Sequence, residues 1–382
     1  MDAFQSVGDT DARQTARKPR VAVLFGGRSS EHAISCATAS SVLRAIDRDV
    51  YDVIPIGVTR TGRWVLAADD PDRWALTAGV LPEVKDGDGP GVIGPVETGE
   101  SKLQVLEPGQ VPRELGQVDV VFPLLHGPFG EDGTLQGLLE LTDTRYVGAG
   151  VLASAASMDK AVMKVMLAGS GLPIGEYLVV RPGQWQRDPD AVRDDVEELG
   201  WPVFVKPARA GSSVGITKVA GPDELDAAIA EALKHDRKLV IESMITGREI
   251  ECAVLQSADG STATSLPGEI EVLEGHDFYD FTAKYLDEST RLSCPADLPD
   301  EVTARVRELS ERTFEAMNCE GLARVDFFVE PDGNVVVNEI NTMPGFTSTS
   351  MYPRMWAATG LEYPELIDRL LRTALARPTG LR

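Results

Sequence analysis

The stretch that most constrains this chain runs from residue 322 to residue 351 and reads LARVDFFVEPDGNVVVNEINTMPGFTSTSM. Two apolar, β-branched runs flank a Pro-Asp-Gly sequence, which is typical of tight turns. The stretch therefore predicts a β-hairpin. With residues 331–334 as the loop, residue 330 pairs with residue 335. Side chains alternate along a strand, so this register places four polar residues on one face as two opposed pairs. The pairs are Asp326 with Glu339 and Arg324 with Asn341.

Two carboxylates that lie directly opposite each other on a hairpin repel, so a cation is needed beside them. Carboxylate oxygens together with a carboxamide oxygen suit Mg²⁺, which commonly binds substrate phosphates at the same time. The alternative is a solvated polar face, the ordinary interpretation of a lone pair of charges. Because Phe327, Phe328 and a run of valines flank these residues, the sequence favours a metal site made of Asp326, Glu339 and Asn341.

These motifs carry a resemblance to a known family. The sequence R-V-D-F-F followed by N-E-I-N-T-M-P-G resembles the metal-binding end of the ATP-grasp superfamily and, more narrowly, the D-alanine–D-alanine ligase family. Residues 126–137, HGPFGEDGTLQG, are similar to the H-G-x-x-G-E-D-G-T-x-Q-G signature of that family nearly letter for letter. The resemblance spans roughly residues 21–370.

The composition argues against several classes of partner. The chain has 382 residues, with 37 Lys and Arg against 60 Asp and Glu, for a net charge of −23. This charge argues against nucleic acid or an anionic membrane surface as a partner. The four cysteines are scattered, with no C-x-x-C pair, which indicates a reducing compartment and neither a disulfide framework nor a zinc site. The sequence shows neither a secretory signal nor an apolar run of membrane-spanning length, so a cytoplasmic location is expected.

The chain reads as an α/β protein of several domains (α+β in the broader sense). The resemblance implies an ATP-grasp fold with an N-terminal Rossmann-like parallel-sheet domain. The first 19 residues are predicted to be a disordered tail, and residues 77–117 to be irregular surface or a variable insertion. Three domains are expected after the tail: a Rossmann-like substrate domain over 20–150, a central ATP-grasp subdomain over 151–245, and a C-terminal ATP-grasp subdomain over 246–382.

A buried strand, RVAVLF, is followed by a glycine-rich turn and then by a helix over residues 33–46. The glycines do not match G-x-G-x-x-G, so a dinucleotide is not implied. Glu31 lies at the start of that helix, where the helix dipole supplies positive potential. It is therefore either a helix cap or the acceptor for a ligand ammonium group. His126 follows a second buried strand, at the edge where α/β sheets bind ligands.

A phosphate-binding loop is predicted between two strands. Lys206 ends the strand PVFVK, and the loop RAGSSVG (209–215) follows before the returning strand. A Walker loop would enter a helix instead. Here the loop can fold over a triphosphate, with backbone N–H groups and the hydroxyls of Ser212 and Ser213 as donors. Lys160, which opens a helix, is positioned to meet phosphate as well.

The resemblance implies further nucleotide contacts. Glu242 and Glu249 are similar to the family's adenine-side and ribose-hydroxyl acceptors, and carboxylates suit hydroxyls because they only accept. The aromatic segment over residues 275–285 resembles the family's mobile ω-loop. Within it the resemblance implies that Phe278 and Lys284 bind the nucleotide. Tyr285 would be hydrogen-bonded to Ser212, closing the site and controlling which nucleophile is accepted.

The implied reaction joins two D-alanines through an acylphosphate while ATP becomes ADP and phosphate, for peptidoglycan precursor synthesis. The metal would be two Mg²⁺ ions, with Mn²⁺ as a substitute. Arg324 and the backbone N–H of Gly345 would bind the oxyanion, and Glu31, helped by His126, the ammonium of the first D-alanine. Ser350 and the N–H of Met351 would take the carboxylate of the second. The resemblance also implies a homodimer.

Three alternatives remain open on the sequence alone. A relative that couples D-alanine to D-lactate would typically carry another residue in place of Tyr285. Another ATP-grasp carboxylate–amine ligase or carboxylase subunit would share Lys206 and the metal set, but not the long motif at residues 126–137. A non-catalytic nucleotide-binding module would be expected to have lost Arg324 or a metal ligand, and none is lost.

Overall fold

The computed structural model describes residues 17–77, 80–95, 98–99, 101–107, 109–272 and 290–379. These residues form a mixed α/β structure built on three sheets, which confirms the predicted fold class. The predicted domain boundaries at residues 150 and 245 fall between the sheets. Among the helices described, none combines the length and the apolar character that crossing a membrane would require.

The first sheet is parallel at one end, where β2, β1 and β7 lie, and antiparallel over the rest. Its seven strands lie in the order β6-β5-β4-β3-β2-β1-β7. Strand β1 pairs in parallel with both β2 and β7, whereas β2 to β6 pair antiparallel. The strands are β1 Arg20–Gly26, β2 Asp52–Val58, β3 Trp64–Leu66, β4 Gly91–Ile93, β5 Lys102–Leu106, β6 Arg113–Gln117 and β7 Val120–Pro123.

The prediction of irregular structure over residues 77–117 is wrong for three segments of that range. Strands β4, β5 and β6 lie there and extend the first sheet. Leu103 and Val105 on β5 are buried, although Gly, Pro and acidic residues dominate the surrounding sequence. The apolar alternation is short, and each strand has only three to five residues. Neighbouring strands therefore stabilise these pieces more than local propensity does.

The second sheet is a four-stranded antiparallel sheet in the order β10-β9-β11-β8. Two amphipathic helices, α6 (Pro189–Leu199) and α7 (Pro222–Ala232), pack their apolar residues on it, including Val196 and Ile229. The predicted phosphate loop connects β9 to β10. The strands are β8 Tyr177–Val180, β9 Val203–Pro207, β10 Thr217–Val219 and β11 Leu239–Ser243.

The third sheet carries the predicted metal hairpin. Its main path is β15-β14-β12-β16-β17, with β13 paired to β12, and its neighbours are antiparallel. The long helix α8 (Asp300–Ala316) packs Val306, Leu309 and Phe314 against it. The strands are β12 Arg248–Gln256, β13 Thr262–Thr264, β14 Gly268–Val272, β15 Thr290–Ser293, β16 Leu322–Val329 and β17 Val335–Asn341.

The described helices connect and cover these sheets, and a 3₁₀ turn spans Pro71–Trp74. They are α1 His32–Ala45, α2 Thr134–Leu141, α3 Val151–Met158, α4 Lys160–Gly169, α5 Gln184–Arg187, α6 Pro189–Leu199, α7 Pro222–Ala232, α8 Asp300–Ala316, α9 Met351–Ala358 and α10 Tyr363–Ala376. The largest core joins the first sheet to α9 and α10 through residues such as Phe122, Phe346 and Trp356.

The hairpin register is correct at the polar residues and wrong at the turn. Arg324 pairs with Asn341, and Asp326 with Glu339, as predicted. Near the turn, however, Val329 pairs with Val335, and the Glu330 N–H donates to the Asn334 carbonyl. A β-bulge that leaves residue 338 unpaired reconciles the two registers. Such a bulge adds one residue to one strand only.

Candidate active site

One large cavity, with a volume of about 1880 Å³, lies between the three sheets. It brings together every predicted site residue that the structure describes, from both the N-terminal and the C-terminal parts of the chain. Phe278, Lys284 and Tyr285 lie outside the described residues. The predicted residues that line the cavity are Glu31, His126, Lys160, Lys206, Ser212, Ser213, Glu242, Glu249, Arg324, Asp326, Glu339, Asn341, Gly345, Ser350 and Met351.

Cationic side chains hold the opposed carboxylates of the hairpin. Arg324 donates from Nε and Nη2 to the two oxygens of Asp326 at 2.6 and 2.7 Å. Asn341 Nδ2 donates to the same carboxylate at 2.9 Å, and Lys160 Nζ lies 3.4 Å from Glu339 Oε2. Burial alone would lower the pKa of Arg324, but the charges of Asp326 and Glu251 outweigh it and raise the pKa well above its usual range.

The hairpin face fits a divalent cation that also binds phosphate. Asp326 and Glu339 are directly opposed, partly buried and open to the cavity, with the Asn341 carboxamide beside them. Across the described part of the chain, no cluster of three or more His, Cys, Asp or Glu is arranged to bind a metal. Two carboxylates and one carboxamide suit Mg²⁺, which keeps several coordination positions for water and substrate phosphates.

Glu242 joins two lysines in the part of the cavity beside the second sheet. Lys206 donates to its Oε2 at 2.7 Å, and Lys164 Nζ lies 3.2 Å from its Oε1. Burial alone would raise the pKa of Glu242, but Lys206 and Lys164 outweigh it and lower the pKa to about 2. Burial lowers the pKa of Lys164, whose side chain is only 2% exposed. Glu242 thus stays ionised and orients both lysines.

The loop between β9 and β10 reaches across to the N-terminal sheet. Ser212 and Ser213 adopt left-handed backbone conformations, with φ of 47° and 58°. Such values are uncommon outside glycine and point to a functional constraint. Ser212 Oγ donates to Glu31 Oε1, and this hydrogen bond joins the loop to the start of α1. Lys160 Nζ also donates to the loop, at the Ala210 carbonyl, over 3.3 Å.

The structure separates the two interpretations of Glu31. The residue occupies the N-cap position of α1, yet its side chain makes no capping hydrogen bond. It is only 6% exposed, and its Oε2 has no hydrogen-bond partner among the described residues. A buried carboxylate oxygen without a partner is costly in a folded protein. The arrangement favours a ligand ammonium over a helix cap.

His126 and Glu131 connect the N-terminal sheet to the loop after β17. The His126 Nδ1–H donates to the Met343 carbonyl at 3.1 Å, and Nε2 lies 3.1 Å from Thr38 Oγ1. The N–H groups of Gly127 and Met343 donate to Glu131 at 2.6 and 3.1 Å. Burial lowers the pKa of His126, against the opposing effects of Glu31 and the Met343 carbonyl. Burial and then the charge of Glu31 raise the pKa of Glu131 to about 8.

Ser350 and Met351 mark the start of helix α9, which faces the cavity. Ser350 occupies the N-cap position, and its Oγ accepts a hydrogen bond from the Thr347 N–H at 3.1 Å. Helix N-termini present backbone N–H groups and favour negative charge. A Cβ at Gly345 would lie 3.3 Å from the Ser350 hydroxyl, so this turn packs closely against the helix start. The geometry suits a carboxylate.

Comparison with known proteins decides the family. The family model described as "D-ala D-ala ligase N-terminus" matches residues 20–149, and the model described as "D-ala D-ala ligase C-terminus" matches residues 166–372. The chain belongs to the D-alanine–D-alanine ligase family. It is 64% identical over 373 residues to a D-alanine–D-alanine ligase from Kineococcus radiotolerans, covering 96% of this chain and 99% of the relative.

Solved structures of the ligase family share the fold. The D-alanine-D-alanine ligase from Coxiella burnetii superposes with a TM-score of 0.80 at 37% identity, covering 94% of each chain. The VanG D-Ala:D-Ser ligase from Enterococcus faecalis superposes with a TM-score of 0.79 at 35% identity, covering 94% of this chain and all of that chain. The predicted ATP-grasp ligase fold is thereby confirmed.

Three buried charged residues of this ligase site did not figure among the predicted site residues. They are Glu131, Lys164 and Glu251, and each contacts a predicted site residue or its loop. A usable signal existed for Glu251, because it alternates with Glu249 on one strand and therefore faces the same side. The roles predicted for the individual site residues stay predictions.

Proposed function

We propose that this protein joins two D-alanine molecules into D-alanyl-D-alanine at the expense of ATP. The observation that carries the proposal is the buried Glu31 carboxylate. One of its oxygens has no partner among the described residues, and it faces a cavity lined by Lys160, Lys206 and Arg324. An ammonium acceptor opposite a phosphate-binding set is the arrangement that an ATP-dependent amino-acid ligase needs. The 64% identity to a D-alanine–D-alanine ligase supports the same substrate.

ATP would bind between the second and third sheets. Lys160 and Lys206 would contact its phosphates, and the loop of Ser212 and Ser213 would supply backbone and hydroxyl donors. These local donors are required because the whole chain carries a charge of −23, which repels a polyphosphate. Glu242 and Glu249 would accept from the nucleoside. Phe278 and Lys284, which the sequence also assigns to the nucleotide, belong to the same proposal.

Asp326, Glu339 and Asn341 would hold two Mg²⁺ ions, for which Mn²⁺ could substitute. When bound, such ions neutralise the charge that develops on the transferred phosphoryl group. The protein's own part is to supply a rigid oxygen face: the three ligands lie on adjacent strands of one hairpin, and Arg324 and Lys160 balance their charge.

A carboxylate is a poor electrophile, so activation comes first. One oxygen of the first D-alanine carboxylate attacks the γ-phosphorus, the bond to ADP breaks, and an acylphosphate forms. The amine of the second D-alanine, after losing a proton, attacks the acyl carbon to give a tetrahedral oxyanion. Phosphate then leaves and the amide remains. Arg324 and the N–H of Gly345 would stabilise the oxyanion, which is a strong use of fixed donors.

The two D-alanines would bind at opposite ends of this reacting centre. Glu31, held by Ser212, would accept the ammonium of the first. Ser350 and the Met351 N–H, at the start of α9, would bind the carboxylate of the second. Both ring nitrogens of His126 already have protein partners, and we propose that it supports Glu31 from that position. Tyr285 would complete the closed site, which must exclude water because acylphosphates hydrolyse readily.

The dipeptide would serve peptidoglycan precursor synthesis, with the enzyme acting as a homodimer in the cytoplasm. The D-Ala:D-Ser ligase at 35% identity shows that the fold is also used with another second substrate. The experiment that tests the proposal measures ADP release with D-alanine, L-alanine, D-serine and D-lactate, and identifies each product by mass. We expect D-alanyl-D-alanine as the main product. Preferential formation of the D-lactate ester would contradict the proposal.

A further inference from the structure

Three carboxylates form a row across the third sheet. Glu251 on β12 pairs with Asp326 on β16, and Asp326 pairs with Glu339 on β17. Like charges directly opposite each other in a sheet are destabilising. Glu251 is the most buried of the three, with 5% of its side chain exposed, compared with 14% for Asp326 and 27% for Glu339. The predicted metal set accounts for Asp326 and Glu339 and leaves Glu251 unexplained.

Arg324 contacts two of these carboxylates at once. Its Nε and Nη2 engage both oxygens of Asp326, and Nη2 also lies 3.1 Å from Glu251 Oε1. A guanidinium is a planar, rigid fork, so contacts with two carboxylates fix both its position and the plane in which it lies. These contacts do not engage Nη1, which carries two further N–H donors.

Asp326 and Glu251 differ in what else they are needed for. Asp326 would contact both Arg324 and the proposed metal. Its hydrogen bonds to the arginine would therefore change when its oxygens bind a cation. Glu251 lies on the neighbouring strand β12, on the other side of Asp326 from Glu339, and it does not belong to the proposed metal set. Its contact with Arg324 therefore does not compete with the proposed metal.

We propose that Glu251 is a positioning residue that holds the guanidinium of Arg324 in place to stabilise the oxyanion. The inference rests on the proposed function, in which Arg324 meets the tetrahedral oxyanion. Glu251 acts through Arg324 and does not itself touch substrate. A misplaced donor loses most of its effect on a transition state, because such stabilisation depends on donors fixed in advance.

The test compares Glu251→Gln with a matched control, Glu269→Gln. Glu269 lies on β14 of the same sheet, its side chain is 8% exposed, and it holds Arg248 by two hydrogen bonds of 2.6 and 2.7 Å. Both changes remove one buried carboxylate bound to an arginine. Only Glu251 contacts an arginine assigned to the reaction.

Each full-length variant is characterised in three ways. Steady-state kinetics gives kcat and the KM for D-alanine and for ATP, thermal denaturation gives the melting temperature, and a binding assay gives the affinity for a phosphinate analogue of D-alanyl-D-alanine. We expect Glu251→Gln to lower kcat roughly tenfold or more, as loss of a hydrogen bond to a charged group does. The affinity for the tetrahedral analogue should fall by a similar factor. The KM for ATP should stay unchanged, and Glu269→Gln should match the wild type in kcat, KM and analogue affinity, while its melting temperature falls because Arg248 loses its partner.

Each other outcome overturns a specific step. Wild-type kcat and analogue affinity in Glu251→Gln would remove the positioning role, and so would restoration of kcat by excess Mg²⁺, which would make Glu251 a metal ligand. If Glu251→Gln lowers the melting temperature, Glu251→Asp keeps the charge but shortens the side chain, and wild-type kcat there would overturn the inference. A wild-type enzyme that makes no D-alanyl-D-alanine would instead contradict the proposed function.

Discussion

Several buried charges in this cavity are held by ion pairs with one or two named partners, and single residues therefore carry large free energies. Glu242 is the clearest case. It lies between Lys206 and Lys164, and all three side chains are largely shielded from water. Breaking a buried ion pair from one side leaves an uncompensated charge, which costs about 3–5 kcal/mol. Replacing both partners costs far less.

We expect Glu242→Gln to lower the free energy of unfolding by about 3 kcal/mol, because Lys164 would remain buried and charged without its partner. The double variant Glu242→Gln/Lys164→Met should recover part of that loss, because Lys206 still lacks its partner. Urea denaturation of both variants and the wild type measures the difference. A single variant as stable as the wild type would mean that Lys164 does not depend on Glu242.

The same carboxylate predicts a pH dependence. The folded-state pKa of Glu242 is about 2, below the value of about 4.3 expected in an unfolded chain. Its contribution to stability is therefore present above pH 4.3 and is lost as the pH falls through 2. Between pH 4.5 and 2.5 the free energy of unfolding of the wild type should fall more steeply than that of Glu242→Gln. Parallel curves would contradict the lowered pKa.

The metal assignment is tested at Glu339. The change Glu339→Gln relieves the repulsion with Asp326 on the opposite strand but removes a charged ligand. We expect a normal melting temperature and a metal affinity reduced by at least the roughly 10–100-fold that loss of a supporting residue costs. Turnover should be nearly abolished. Mg²⁺ titration, followed by isothermal calorimetry with ADP present, measures the affinity, and near-normal activity at saturating Mg²⁺ would remove the assignment.

At the scale of secondary-structure elements, loops from separate sheets hold the site. The loop after β7 passes so close to Glu31 that a Cβ at Gly127 would lie 2.3 Å from Oε2, and the φ of Gly127 is +72°. We expect Gly127→Ala to displace Glu31 and raise the KM for D-alanine at least tenfold, with little effect on the KM for ATP. Steady-state kinetics measures both constants.

A matched control exists ten residues later in the same motif. A Cβ at Gly137, on helix α2, would meet nothing within 4 Å, and alanine favours a helix. Gly137→Ala should therefore keep both KM values and leave stability equal or slightly higher. If the two glycine variants behave alike, close packing against Glu31 is not what Gly127 provides.

The hairpin shows how far sequence reasoning reaches at this scale. The assumed loop at residues 331–334 placed Asp326 opposite Glu339, and the alternation of side chains placed both on one face. The turn was placed one residue off, because the loop sequence does not reveal a bulge in the following strand. The bulge at residue 338 restored the register at the polar pairs. The residues that form the turn and the strand pairing of the polar residues therefore depended on different features of the hairpin.

Other elements depended on contacts that a single sequence does not display. Strands β4 to β6 are short and poor in local signal, and they form because a sheet edge is available to them. Lys164 reads as an ordinary residue of an amphipathic helix, yet its side chain is buried against Glu242. The long motif at residues 126–137 was recognisable, but the part played by Glu131 required Met343, 212 residues away.

At the scale of the whole molecule, the cavity is completed only where distant parts of the chain meet. Ser212 from the second sheet contacts Glu31 from the first, and Met343 from the third sheet binds both Glu131 and His126. The largest core also joins the first sheet to the C-terminal helices. A site assembled from three sheets suits a reaction that brings together two amino acids and a nucleotide and must exclude water.

We propose that this single cavity activates one D-alanine as an acylphosphate and joins it to the amine of a second D-alanine. The most direct measurement incubates the purified full-length protein with ATP, Mg²⁺ and D-alanine, quantifies ADP and identifies the product by mass. We expect one D-alanyl-D-alanine for each ADP released and no dipeptide from L-alanine. ADP release without dipeptide, or dipeptide formation that does not consume ATP, would contradict it.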